Sequence, residues 1–100
     1  MSRPRYDWHG HAVKQIKKYP DKLEQEQTLQ SSIWKNAIKD AIIETKRLPD
    51  GNERMEAVRL RFWDNTYELY GIAKQIFVSE DTVKRWTNSF VQLVGKNAGY

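Results

Sequence analysis

Two short apolar-periodic segments that meet across a tight connection, in residues 69–88, constrain this chain more than any other stretch. Leu69, Ile72, Ala73 and Ile76 recur at the three- and four-residue spacing of one helical face. After Phe77 and Val78 comes Ser79, a residue type that starts helices because its hydroxyl accepts a backbone N–H the first turn leaves unpaired. Val83, Trp86, Phe90 and Leu93 then give a second segment its own apolar face. Helices that cross this closely need a small residue at the contact, and Ala73 supplies it. Ile72, Val78 and Val83 are apolar anchors around the turn, and Trp86 pins the second helix one turn further on. The pattern predicts a helix-turn-helix.

One position departs from it. The first residue of such a turn is commonly glycine, which takes positive φ without strain, and here it is Phe77. Two geometries are open. Either Phe77 is left-handed, at about 1 kcal/mol or more, or the turn differs and the ring contributes to the core.

The remainder of the 100 residues must support that unit, and its composition suits helices. Hydrophobic residues make up 39%, with four Trp, five Tyr and three Phe, enough for a core and against wholesale disorder. The longest uninterrupted apolar run is Ala41, Ile42 and Ile43, far too short to span a bilayer, so no membrane partner is expected. Residues 1–7 carry no apolar stretch of the signal-peptide kind. Without cysteine there is neither a disulfide framework nor a thiolate metal site. These features suit the cytoplasm of a bacterial host cell. The net charge of +4 permits a polyanionic partner, but the charge is spread. Residues 1–50 hold ten Lys/Arg against seven Asp/Glu, and residues 51–100 seven against six.

Along the chain, residues 1–6 form a basic N-terminal arm, 7–50 a set of N-terminal helices, and 51–100 the unit that ends in the helix-turn-helix. A first helix is predicted over 7–19, with Trp8, Ala12, Ile16 and Tyr19 on one face and Pro20 as its stop. A second runs over 21–46. Its first half, 22–32, is polar and reads as solvated or as a partner surface, while Ile33 onward reads as core. Residues 48–52 are a turn, with Asn52 capping a third helix over 53–63 whose main face is Met55, Val58 and Phe62. Asn65 with Glu68, or Thr66 alone, caps a fourth over 67–76. The fifth spans 80–95, with Gly95 as its stop. The fold expected is all-α, a small bundle of about five helices.

Given a helix-turn-helix, the second helix is the one that enters a DNA major groove with its N-terminal half. Ser79, Glu80, Asp81, Thr82, Lys84, Arg85 and Asn88 are the candidates for contact with double-stranded DNA. Arg85 has the fork that fits a guanine edge, Asn88 the amide that pairs with adenine, and Lys84 the charge for a phosphate. Glu80 and Asp81 suit the positive end of a helix dipole; the sharper alternative is a hydrogen bond from a cytosine amino group to one of them. Arg3 and Arg5 stand in an arm of the kind that enters a minor groove, or that simply frays into solvent.

Residues 68–86 resemble region 4 of bacterial sigma factors, and more closely the phage late-gene transcriptional activators of the RinA/ArpU type. Those proteins place an aromatic-rich helix, here Arg59 to Trp63, just before the helix-turn-helix, and an early Tyr-Pro before a polar helix, here Tyr19 and Pro20. The resemblance covers about residues 55–95 and implies activation of phage packaging and structural genes through a promoter and RNA polymerase. Two other readings stay open. A phage terminase small subunit also carries a helix-turn-helix but works as a ring, and a helical protein-interaction adaptor would use the polar segment 22–32. A homodimer is a further expectation, from the breadth of the apolar surface of Trp86, Phe90, Val91, Leu93 and Val94. His9 and His11, two residues apart, face different sides of a helix and lack further ligands, so no metal or other cofactor is expected. No glycine-rich phosphate loop or catalytic constellation is present, and no enzymatic activity is expected.

Overall fold

A residue that precedes proline is pushed out of the helical region, and this sets the first corner of the chain. Tyr19 is extended (φ −70°, ψ 143°), so α1 (His9–Lys18) stops one residue earlier. The structure is a computed structural model that describes residues 8–19, 21–64 and 68–100. The arm with Arg3 and Arg5 lies outside the described residues; so do Asn65 and Thr66, and neither is the cap expected of them, because the helix expected over 67–76 starts at Leu69 with Glu68 in the N-cap position. The other elements are α2 (Asp21–Glu26), α3 (Leu29–Lys46), α4 (Gly51–Val58), a π-helical turn (Arg59–Asp64), α5 (Leu69–Ile76) and α6 (Glu80–Asn97). Every element among the described residues is helical, and the protein is an all-α bundle.

The single helix expected over 21–46 is two. Gln27 takes a left-handed backbone (φ 50°), which no helix can carry through. Thr28 then caps α3: its Oγ1 accepts the Ser31 N–H at 3.0 Å, and Ser31 Oγ accepts the Thr28 N–H at 2.9 Å. Ser31 thus plays the reciprocal part usually given to Glu or Gln in a capping box. The polar half is mostly solvated, but Leu23 and Ser31 are buried within it.

Asn52 is not the cap of the third helix. Asp50 occupies that position in a left-handed conformation (φ 59°), and its carbonyl already accepts the Arg54 N–H at 2.8 Å, so Asn52 lies inside the first turn. The expected helix over 53–63 therefore starts at Gly51 and changes at Arg59 into the π turn. Along that turn Leu60 and Phe62 are both buried, in different apolar clusters.

Gly95 does not end the last helix. It is buried inside α6, and the indole of Trp8 lies on it so closely that an added Cβ would sit 2.2 Å from Trp8 Cζ3. The glycine is there for close approach. The left-handed stop comes at Gly99 (φ 101°), where the Tyr100 N–H closes onto the Gly95 carbonyl at 2.8 Å.

α6 packs against α1, α3, α4 and α5 and joins two apolar clusters. Its C-terminal half sends Phe90, Val91 and Val94 into the larger one with Ile16, Leu23, Trp34, Ile38 and Phe62. Its N-terminal half sends Val83 and Trp86 into the smaller one with Ala57, Leu60, Ile72 and Ala73. Most of the apolar surface that suggested a dimer is thereby used inside the chain, with Leu93 left partly exposed. Partly buried polar groups brace the larger core: Trp63 Nε1–H donates to the Ile16 carbonyl at 2.7 Å, and Asn97 Nδ2 donates to that of Ala37 at 3.3 Å.

Candidate nucleic-acid interface

Ile72, Ala73, Val83 and Trp86 are all buried where α5 crosses α6, and Val78 packs against them from the turn. The apolar anchors around the α5–α6 turn therefore lie together as their spacing predicts. Phe77 takes the first of its two open geometries. It is left-handed (φ 60°, ψ 45°), and its own N–H and that of Val78 both close onto the Ala73 carbonyl. Its ring is 92% exposed, so it contributes nothing to the core. A bulky side chain at this φ and a bare aromatic ring are both unfavourable in isolation.

Ser79 caps α6 as expected, with Oγ accepting the Thr82 N–H at 3.1 Å. The same oxygen lies 2.9 Å from Thr82 Oγ1, which also accepts a hydrogen bond from Arg85 Nη2 at 3.2 Å. Ser79, Thr82 and Arg85 are thus one chain of polar contacts along the exposed side of the first two turns. It holds the guanidinium near the helix N-terminus. Lys84, Glu80 and Asp81 are exposed and make no ion pair among the described residues. The acids sit in the first turn of α6, where the dipole favours them. On the buried side, Arg54 lies 5.5 Å over the Trp86 ring and covers it from solvent.

Asn88 is exposed on α6 one turn beyond Arg85, and it also lines a cleft of about 300 Å³ shared with α1, the π turn and α5. Two residues that the sequence did not single out meet beside that cleft. Arg61, on the π turn, donates from Nη1 to Oγ1 of Thr87, which is fully buried and itself donates to the Val83 carbonyl at 2.8 Å. Thr87 was findable in principle. It falls one turn after Val83, inside the apolar stripe of α6, where a hydroxyl needs a partner. Arg61 was not, because its direction depends on the π turn.

His9 lines the same cleft, while His11 lies edge-on to Trp34 with centroids 5.3 Å apart. The described residues contain no group of three or more His, Cys, Asp or Glu that would hold a metal ion, and no helix long and apolar enough to cross a membrane. Compared with protein-family models, curated proteins and solved structures, the chain matches none.

Proposed function

We propose that this chain is a sequence-specific DNA-binding transcriptional regulator that uses α6 as its recognition helix. One observation carries the reading. The side of α6 with Val83, Trp86, Thr87 and Phe90 is locked into the core, while its N-terminal end presents Ser79, Glu80, Asp81, Lys84, Arg85 and Asn88 to solvent, with Thr82 partly exposed among them. A helix held that way, with its polar N-terminal half outward, is what entry into a major groove requires. Arg85 is the base-reading group, Lys84 a phosphate contact, and Ser79 and Thr82 orient both the helix start and the Arg85 fork. The finer reading, an activator of phage late genes that engages RNA polymerase, is supported by the resemblance of residues 55–95 to that group.

The test is selection of bound sequences from random duplex DNA by the full-length protein. A short enriched motif, bound much more tightly than random duplex, is the expected result. Failure to retain any duplex even near 50 mM salt, where phosphate contacts are strongest, would overturn the reading. Light scattering on the free protein separates it from packaging, since a terminase small subunit forms a large ring.

A further inference from the structure

The cleft beside Asn88 has a composition that the recognition helix alone does not explain. Three faces meet in it. α1 contributes His9, Val13 and Lys17 at four-residue spacing, so all three point the same way. The π turn contributes Arg61 and Phe62, and the start of α5 contributes Glu68, Leu69 and Ile72. Its volume of about 300 Å³ is room for a tetrahedral anion with several waters, at about 30 Å³ per water.

Arg61 is the unusual member. Its guanidinium is half-buried, lies 5.7 Å from the centroid of the Phe62 ring and is tied from behind to Thr87 Oγ1. Thr87 spends its own proton on the Val83 carbonyl, so it can only accept from Arg61. Among the described residues, that leaves most of the five guanidinium donors without an acceptor, and no carboxylate pairs with Arg61. Burial lowers its pKa from the ordinary arginine value, because partial loss of water disfavours the charged form, yet arginine stays charged. A charge held in that way is expensive unless something anionic meets it. Lys17, on the facing helix, is exposed and likewise has no ion pair among the described residues. Glu68 lines the same cleft and is the one carboxylate there among the described residues, but it pairs with neither cation. Its own side chain also makes no capping bond to α5. Among the described residues, one held cation, Arg61, and one solvent-facing cation, Lys17, face a single carboxylate, which leaves the cleft short of negative charge. Local π geometry of the kind that carries Arg61 is frequent at functional sites.

We infer that this cleft is a phosphate-binding site, with the Arg61 fork as its main ligand, Lys17 as a second charge and the Asn88 amide and His9 ring at its rim. A guanidinium fork matches the oxygens of a phosphate, and Thr87 preorganises it by fixing one edge. Glu68 acts against the ligand and sets its affinity low. Two sources carry the same chemistry: a backbone phosphate of DNA, or a free phosphoryl group. The DNA source rests on the function proposed above, and Asn88 connects the two, since it lies on α6 at the mouth of the cleft. In that case the scaffold, not only the recognition helix, fixes the register of the protein on the duplex.

The experiment uses the full chain, labelled with nitrogen-15, in two arms. In the first, inorganic phosphate is titrated while the Arg61 Nε–H and Asn88 side-chain signals are followed. A saturable shift is expected in the parent, lost in Arg61→Met and tightened about tenfold in Glu68→Gln. Glu68 is exposed, so the second variant folds even if the first does not. In the second arm, affinity for random duplex DNA is measured against salt. Arg61→Met should weaken all sequences alike and reduce the slope of log K on log salt by about one. A phosphate shift with an unchanged slope keeps the anion site, assigns it to a free phosphoryl ligand and overturns the DNA source. If the parent binds no duplex at all, the regulator reading falls while the phosphate titration still decides the cleft. No saturable shift, no slope change and no effect of Glu68→Gln would overturn the inference.

Discussion

The indole of Trp8, at the start of α1, lies directly on the backbone of Gly95, about four turns into the last described helix, with no room for a methyl group between them. Tyr100 stacks on the other side of the arrangement, 5.8 Å from Trp8 and 5.7 Å from Trp34, ring centroid to ring centroid. The two ends of the described chain are thus closed by aromatic packing. Gly95→Ala gains up to about 1 kcal/mol in helix propensity, but it must displace Trp8, and overpacking of this kind costs about 1–3 kcal/mol. A net loss of about 1 kcal/mol is expected in urea unfolding. In a Trp8→Ala background the same substitution should become stabilising. A double-mutant cycle with no coupling between positions 8 and 95 would show that the contact contributes nothing.

Phe77 makes an opposite prediction. Its left-handed backbone costs about 1–2 kcal/mol, and its exposed ring returns almost nothing. Phe77→Gly should therefore leave stability unchanged or raise it by up to about 1 kcal/mol, after the greater freedom glycine gives the unfolded chain. Chemical denaturation checks this. A clear loss of stability would mean the ring is packed in solution.

Much of this arrangement was legible in the residues. Ala73, Val83 and Trp86 marked the crossing of α5 and α6 because local spacing and burial point the same way there. Thr28 and Ser31 were harder to see, since a break made by a left-handed Gln27 has no apolar signature. The role of Gly95 was hidden for another reason. A glycine late in a helix ordinarily means a stop, and only the arrival of Trp8 from 87 positions earlier in the chain makes it a packing site. The cleft was illegible in the same way. Lys17, Arg61 and Asn88 are far apart in sequence, and a π turn alters the direction of Arg61 in a manner that helical periodicity does not anticipate.

Thr45 Oγ1 is buried on α3 without a hydrogen-bond partner among the described residues. Leaving a hydroxyl in that state costs about 1–3 kcal/mol relative to a satisfied one. Thr45→Val keeps the shape and removes the oxygen, so it should raise stability by up to about 1 kcal/mol. Thermal unfolding would show it as a higher Tm, and a lowered Tm would mean that the hydroxyl is satisfied in solution.

Glu56 is held below the usual glutamate pKa, mainly by its hydrogen bonds from Arg59 at 2.6 and 3.1 Å, which outweigh an opposing effect of burial, with a smaller lowering from the charge of Arg59. A carboxylate with a depressed folded-state pKa stabilises above its unfolded value, and that stability is lost as pH falls through the folded value. The pair is solvent-exposed, which limits it to about 0.5 kcal/mol. Glu56→Gln should cost that small amount at neutral pH and nothing in strong acid. Equal loss at both ends of the titration would point to packing rather than charge.

Arg85 is where the proposed function is most directly exposed to measurement. It is solvent-facing, and its one hydrogen bond in the described residues goes to Thr82 Oγ1, which Ser79 holds in turn. Arg85→Ala should therefore leave thermal stability within about 0.5 kcal/mol, as surface substitutions usually do. On the selected DNA sequence it should lose about 1–3 kcal/mol of binding, with much less effect on random duplex. Thr82→Val tests the support rather than the contact. It frees the guanidinium without removing it, so specificity should relax partway while the salt dependence stays the same. If Arg85→Ala weakened specific and random DNA equally, Arg85 would be a phosphate contact. Base reading would then have to come from another residue on the exposed side of α6.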